Sequence, residues 1–188
     1  MAYVALLDAS VLHPWVVCDV LLRLAERGLY RPAWSGQILD EVVDSLTERR
    51  PEHAERFRRR REQMEAAFAE AMTPRPERFA SVVPDEVHEG DRHVVAAALA
   101  ARADVIVTNN ARHFAPDRLA ESGLLVQTAD EFLVHQWWLD PHGVDEVLAE
   151  MADATRRPPL TVEQVLDSLA RSAPEFVALD RDQASRGA

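Results

Sequence analysis

Polar side chains follow two short apolar runs of the sequence, at the points where each run ends. The run at 4–7 stops at Asp8, and the run at 105–107 stops at the polar tripeptide 108–110. Continuous apolar runs of this length are typical of buried strands in parallel sheets, whose ligands bind outside the carboxyl ends of the strands. If the two strands are neighbours, both polar tips open onto one crevice.

Two further carboxylates could join this crevice from helices. Glu41 lies between the apolar residues Leu39 and Val42 of a predicted helix, and Asp91 begins an alanine-rich helix, where the helix dipole favours a negative charge. Taken singly, Asp8 could end a strand, Glu41 could be a solvated helix residue and Asp91 could be a helix cap. A common cluster needs a cation, because grouped carboxylates repel one another, and oxygen ligands suit Mg²⁺ or Mn²⁺. Such ions activate water when a phosphodiester is cleaved.

Alternating strand and helix signals position these side chains. Short apolar runs predict strands at 4–7, 81–84, 105–107 and 124–128. Helical spacing of apolar residues, in several cases with proline, serine or threonine at the start, predicts helices at 14–28, 35–50, 51–72, 91–103, 115–123 and 128–139. This alternation predicts an α/β sandwich with a mostly parallel sheet that is covered by helices on both faces.

The pattern changes after Trp138. Breaks at 139–143 and 155–159 separate two further helical stretches, at 144–154 and 160–172. We therefore predict one domain at 1–139, followed by a small helical extension at 140–188.

Composition excludes several classes of protein. The chain has 32 acidic residues against 21 basic residues, all of them arginine, and a net charge of −11. Such a chain is not expected to coat nucleic acid nonspecifically, although a nuclease with local basic groups remains compatible with it. The single cysteine, Cys18, excludes an internal disulfide and a thiolate zinc site. The sequence carries neither an export signal nor an apolar stretch of the roughly 20 residues that span a bilayer, so we expect a cytoplasmic protein.

Four stretches of the sequence resemble PIN domains, specifically those of VapC-type toxins from bacterial toxin–antitoxin pairs. They are LLDASVL, SGQILDEV, GDRHVVAAALAARADVIVTNN and the pair HF. The resemblance covers about residues 3–139, and the segment 90–114 is its most specific part. It implies a Mg²⁺- or Mn²⁺-dependent endoribonuclease with a PIN-like three-layer sandwich, to which a subset of longer VapC-like toxins adds C-terminal helices.

The resemblance also implies roles for individual residues. Asp8, Glu41 and Asp91 match the metal-binding carboxylates of the family, and Thr108 resembles its hydroxyl residue near the metal and the scissile phosphate. Asn110 stands where the family usually has an aspartate, and its neutral carbonyl should bind a metal more weakly. The implied partners are an RNA substrate and a cognate antitoxin protein. A homodimer stays open, and no membrane partner is expected.

Arginines supply two candidate contacts to substrate phosphates. The run RFRRRR at 56–61 could hold RNA phosphates, or it could be a solvated helix whose arginines pair with neighbouring glutamates. Arg112, in the loop after Asn110, is the other candidate.

Two other functions compete with the ribonuclease hypothesis. The stretch VIVTN also fits a motif of haloacid-dehalogenase-like phosphatases, but these need a second aspartate where this chain has Ser10. The other alternative is a PIN-like binding module that acts only through partner proteins. Asn110 keeps that alternative open, and a metal-dependent RNA cleavage assay separates it from the nuclease.

Overall fold

A four-stranded parallel sheet lies at the centre of the fold in the computed structural model, which describes residues 3–154 and 160–187. The strands are β1 (Val4–Leu7), β2 (Arg31–Ala33), β3 (Val105–Val107) and β4 (Leu125–Gln127). They lie in the order β2-β1-β3-β4, with Leu7 of β1 in register with Val107 of β3. The carboxyl ends of the two central strands therefore meet at one edge of the sheet.

Helices connect the strands and continue beyond the last one. The described residues contain α1 (Ala9–Leu12), α2 (Trp15–Glu26), α3 (Gly36–Arg49), α4 (Ala54–Ala67), α5 (Arg92–Ala101), α6 (Pro116–Ala120), α7 (Ala129–Leu139), α8 (Pro141–Ala154), α9 (Val162–Leu169) and α10 (Pro174–Gly187). Short 3₁₀ segments lie at 51–53, 69–71, 76–82, 89–91 and 111–114. No helix of this part of the chain is long and apolar enough to cross a membrane.

Both faces of the central strands are covered. Successive side chains of a strand point to opposite faces, and the consecutive residues Leu6 and Leu7 of β1 are both fully buried. The same holds for Ile106 and Val107 of β3. The prediction of an α/β fold with a parallel sheet between helices is confirmed.

Local signals in the sequence place several elements correctly. β1 and β3 coincide with the two apolar runs, and α5 begins directly after Asp91. The Ser35 hydroxyl caps α3 by accepting a hydrogen bond from the amide of Ile38 at 3.2 Å. Thr128 caps α7 in the same way through the amide of Glu131.

Two local predictions are wrong. The stretch 81–84 forms no strand: its first part ends the 3₁₀ segment at 76–82, which packs along α5 and not beside the sheet. The single helix predicted at 51–72 is divided, since α4 is flanked by the 3₁₀ segments 51–53 and 69–71. Trp15 fits the helical spacing of the apolar side of α2, but it is 58% exposed at the start of the helix, with the Arg60 guanidinium over its ring.

The C-terminal helices pack directly against the sandwich. α8 contacts α2, and α10 contacts α7. The Asp130 carboxylate of α7 accepts hydrogen bonds from the amides of Glu175 and Phe176 at the start of α10, at 3.0 and 2.8 Å. The break predicted at 155–159 lies outside the described residues. The boundary between 139 and 140 stays a prediction.

One buried carboxylate of this C-terminal part leads to a pH-dependent prediction. Burial raises the pKa of Asp180, and the Asp145 and Glu163 charges raise it further, against the opposing effects of Trp137 and Arg181. At this residue the folded state therefore binds more protons than the unfolded state just above the ordinary pKa of an aspartate, so the contribution of Asp180 to the free energy of unfolding falls as pH rises through this range.

We expect the substitution Asp180→Asn to raise the melting temperature at pH 7 by about 2 °C and to flatten its decline between pH 4 and pH 7. Thermal denaturation across this range measures both effects. Asp153→Asn is the control, because Asp153 lies exposed on α8. An unchanged pH profile for Asp180→Asn would contradict the prediction.

Candidate active site

Asp8 lies at the carboxyl end of β1 and is 4% exposed. Its amide donates to the carbonyl of Val107 at 3.0 Å, which extends the pairing of β1 with β3 by one residue. Its own carbonyl accepts the amides of Val11 and Leu12, so the first turn of α1 starts from the same residue. The backbone of Asp8 is thus held by a strand on one side and a helix on the other, which gives its carboxylate a defined position.

Two hydroxyl groups orient the Asp8 carboxylate. Ser10 and Thr108 both donate to its Oδ2 oxygen, each at 2.7 Å. The Ser10 oxygen accepts the amide of Asn109 at 2.9 Å, and the Thr108 oxygen accepts the amide of Asn110 at 3.0 Å. This network ties the end of β1 to the loop after β3, although the residues are about 100 positions apart in the sequence.

Glu41 and His93 form the second part of the site. The His93 Nε2 atom lies 3.0 Å from the Glu41 Oε1 atom, which is an ion-pair distance when the imidazole is protonated. The angle at this contact is outside the range of a hydrogen bond. Burial lowers the pKa of His93, but the Glu41 carboxylate, the Gly90 backbone and the Asp8 charge outweigh it, so the pKa is raised. Both carboxylates thus act on His93 in the same direction.

Asp91 forms the third part with two histidines. Its Oδ2 atom lies 3.2 Å from the Nδ1 atom of His113 and 3.3 Å from that of His88. The two histidine rings stack with their centroids 5.0 Å apart. The possible ligand atoms of these three side chains all lie within 4.8 Å of one another. Among residues 3–154 and 160–187, this is the group of three histidine, cysteine or carboxylate side chains that could hold a metal ion. Asp8 and Glu41 do not belong to that group.

Asn110 and Arg112 lie exposed in the loop that joins these parts. The Asn110 carbonyl accepts the amide of His113 at 2.8 Å, which connects the Thr108 end of the loop to Asp91 through His113. The side chain of Asn110 makes no hydrogen bond with any described residue. Arg112 has no carboxylate partner in the same part of the chain. Both side chains are therefore available to a ligand.

The free carboxylate oxygens suit a hard divalent cation. Asp8, Glu41 and Asp91 each use one oxygen for the contacts above, and the other oxygen accepts no hydrogen bond from the described residues. Mg²⁺ and Mn²⁺ prefer such oxygen ligands, and the neighbouring imidazoles favour Mn²⁺ over Mg²⁺ because nitrogen is a better ligand for transition metals. The residues present therefore fit a divalent metal.

Sequence reasoning missed the roles of Ser10, Asn109 and His88. Ser10 lies two positions after Asp8, where a short polar side chain can reach back to the carboxylate. His88 lies three positions before Asp91, a spacing that brings both side chains to one side of a helical turn. Asn109 belongs to the polar tripeptide after β3, but its contacts to Ser10 depend on the pairing of β1 with β3, which no local signal reveals.

The parallel sheet defines an α/β protein, and its central strands carry acidic and hydroxyl groups at their carboxyl ends. The chain belongs to the PIN-domain family, whose profile matches residues 4–112. A second family, described as the VapC50 C-terminal domain, matches residues 129–182. The helices after the sheet are thus a known C-terminal addition to such domains.

The curated relative that was found is the "Putative ribonuclease VapC50" of Mycobacterium tuberculosis. It is 40% identical to this chain over 94 residues, which are 50% of this chain and 56% of the relative. The match thus spans little more than half the length of that protein. No solved structure matched the chain.

Proposed function

We propose that this protein is a Mg²⁺- or Mn²⁺-dependent endoribonuclease that acts as the toxin of a toxin–antitoxin pair. The observation that carries the proposal is the buried Asp8 carboxylate, which two hydroxyl groups hold at the end of a central strand with one oxygen free. A buried carboxylate is costly unless it is paired or binds a metal, so this arrangement favours a cation at Asp8. The similarity to a protein named as a ribonuclease supports RNA as the substrate.

The site residues have distinct roles in this proposal. Asp8, Glu41 and Asp91 hold the metal through their free oxygens, and Asn110 adds a neutral carbonyl ligand. When bound, the metal activates a water molecule and stabilises the charge that develops on the cleaved phosphodiester. Thr108 fixes the orientation of Asp8 through its 2.7 Å hydrogen bond. Arg112 contacts a substrate phosphate, and a guanidinium suits this role because it can bind two phosphate oxygens at once.

The partners follow from the same proposal. A VapC-type toxin is held inactive by a cognate antitoxin protein, and the C-terminal match to the VapC50 domain supports membership of that group. The homodimer and the cytoplasmic location remain predictions from the sequence.

The alternative function is a PIN-like binding module with little or no catalytic activity. Asn110 favours it, since a neutral ligand in place of a carboxylate weakens the attraction for a divalent cation. Because the three carboxylates keep free oxygens, we expect the site to be altered by Asn110 and still able to bind a metal.

A cleavage assay distinguishes the nuclease from the binding module. The purified chain should cleave single-stranded RNA when Mn²⁺ or Mg²⁺ is added, and cleavage should stop in excess EDTA and return when metal is restored. We expect Mn²⁺ to support faster cleavage than Mg²⁺, because of His88 and His113 beside Asp91. Absence of metal-dependent products, with the protein folded and the metal bound, would favour the binding module.

A further inference from the structure

A basic groove lies on the surface formed by α2, α3 and α4. Its cavity has a volume of about 560 Å³. Twelve residues line it: His13, Pro14, Trp15, Leu46, Arg49, Arg50, His53, Arg56, Phe57, Arg59, Arg60 and Gln63. None of the roles proposed above for the active site involves these side chains.

The charge of the basic groove is opposite to that of the whole chain. Five of its twelve lining residues are arginines and none is acidic, whereas the chain carries 32 acidic residues against 21 arginines. Burial lowers the pKa of His13, and the charges of Arg49 and Arg60 lower it further. The groove therefore has a locally positive potential in a protein of net charge −11. This local excess of positive charge fits an anionic ligand.

The arginine run at 56–61 is divided between two environments. Arg58 pairs with Glu55 at 3.1 Å, and Arg61 pairs with Asp40 and Glu65. The groove arginines differ from these two, because none of them has a carboxylate within 4.0 Å in the described part of the chain. They are Arg49, Arg50, Arg56, Arg59 and Arg60. The two sequence hypotheses for the run thus apply to different residues, since Arg58 and Arg61 are neutralised and Arg56 and Arg59 are free to bind phosphates.

Aromatic surface accompanies the positive charge. Trp15 is 58% exposed at the groove, and the Arg60 guanidinium lies 4.9 Å from the centre of its ring. Arg60 also donates to the carbonyl of Leu12 at 2.7 Å, which holds it in place at the end of α1. Proteins that bind single-stranded nucleic acid combine arginines with accessible aromatic rings, because bases stack on the rings while phosphates pair with the arginines.

Two helices connect the basic groove with the candidate active site. α1 starts from Asp8 and ends at His13, which lines the groove. α3 carries Glu41 near its start and reaches the groove at Leu46 and Arg49. Since a helix rises 1.5 Å per residue, Arg49 lies about 12 Å along α3 from Glu41. Both helices thus have one part near the candidate active site and another part at the groove.

We propose that the basic groove binds the phosphate backbone of single-stranded RNA on one side of the cleavage site. This inference rests on the proposed function in that it takes RNA as the substrate. Arg49, Arg50, Arg56 and Arg59 contact successive phosphates, and Trp15 offers a stacking surface for a base. The groove contributes affinity that does not depend on base sequence, because charge pairs with phosphates carry no sequence information.

The test is equilibrium binding of the full chain to a fluorescent single-stranded RNA in EDTA, over a range of salt concentrations. The double variant Arg56→Gln/Arg59→Gln should bind about tenfold more weakly than the parent. Its plot of log affinity against log salt should be shallower by about 1.4, because each lost contact with a single strand removes about 0.7 from the slope. Both side chains are exposed, so the variant should fold, which its melting temperature checks. Arg49→Gln/Arg50→Gln on α3 provides a second, independent pair and should lose affinity in the same way.

A matched control removes the same charge elsewhere. Arg58→Gln/Arg186→Gln takes away two arginines that pair with acidic residues of their own helices, Glu55 and Asp182. We expect this control to keep the parental affinity and salt slope to within twofold. Equal losses in the control and the groove variants would overturn the proposal, since net charge alone would then explain the effect. Unchanged RNA binding in both groove pairs would also overturn it.

The binding test is independent of catalysis. A chain that binds RNA through the basic groove but never cleaves it contradicts the proposed function and leaves the groove assignment intact. If the parent cleaves RNA and both groove double variants bind and cleave RNA as the parent does, only the groove assignment is contradicted.

Discussion

Replacement of Asp8 by asparagine is expected to slow single-turnover RNA cleavage by about 1000-fold while leaving the protein folded. The substitution removes the negative charge that holds the metal, and a loss of this size corresponds to about 4 kcal/mol in the barrier. The fold should survive, because the asparagine carbonyl can still accept the hydrogen bonds that Ser10 and Thr108 donate. Removing a charge that is only 4% exposed should leave the melting temperature in EDTA equal to that of the parent or above it.

Melting temperature and cleavage rate should be measured on the same sample of Asp8→Asn. The matched control is Asp104→Asn, because Asp104 precedes β3 at the opposite edge of the sheet, where its carboxylate accepts the amide of Val4. The control should cleave RNA at the parental rate. A purely structural role for Asp8 predicts the reverse result, which is a lower melting temperature with unchanged cleavage per folded molecule.

Loss of metal-induced stabilisation is the second large effect, and it is expected for Asp91→Ala. A ligand that binds only the folded state at 100 times its dissociation constant stabilises it by about 2.7 kcal/mol. For a chain of this size we expect Mn²⁺ to raise the melting temperature of the parent by about 5–10 °C, and that of Asp91→Ala by about 1 °C or less. The helix itself should tolerate the change, since the Asp91 side chain makes no capping hydrogen bond to α5.

Two companion variants define the metal site more closely. Asp153→Asn on α8 serves as the control and should keep the full shift. Asn110→Asp should increase the shift, because it restores a charged oxygen in a loop where the Asn110 side chain has no hydrogen bond within the described residues. A full Mn²⁺ shift in Asp91→Ala would mean that Asp91 is not a ligand, and the metal would then have to be sought at Asp8 and Glu41 alone.

Much of the candidate site could be predicted from local sequence. Asp8 and Asp91 are marked by what surrounds them, since an apolar run precedes the first and an alanine-rich helix follows the second. Ser35 and Thr128 are recognisable as helix caps because a capping side chain bonds to an amide three residues later, which is a purely local contact. Such features depend on a few neighbouring residues, and the chain carries them wherever it folds.

Local sequence was less reliable where one segment could take two conformations. The stretch 81–84 is rich in β-branched residues, but a strand also needs a partner with free backbone groups, and the 3₁₀ segment that ends there lies against α5. Trp15 satisfies the helical spacing of the buried face of α2, but as its first residue it extends past the core and meets Arg60.

The sequence by itself determined the two central strands, most of the helices, the caps and the identity of the acidic residues, because these follow from residue type and spacing along the chain. Only the tertiary structure decided which of these residues meet. Asp8 and Thr108 become partners because β1 and β3 are neighbours in the sheet, and His113 meets Asp91 because the loop after β3 returns to the start of α5. Likewise, the arginine run at 56–61 has one composition but two environments, since the carboxylates that neutralise part of it come partly from another helix. Contacts between distant segments depend on strand order and helix packing, which no local pattern encodes.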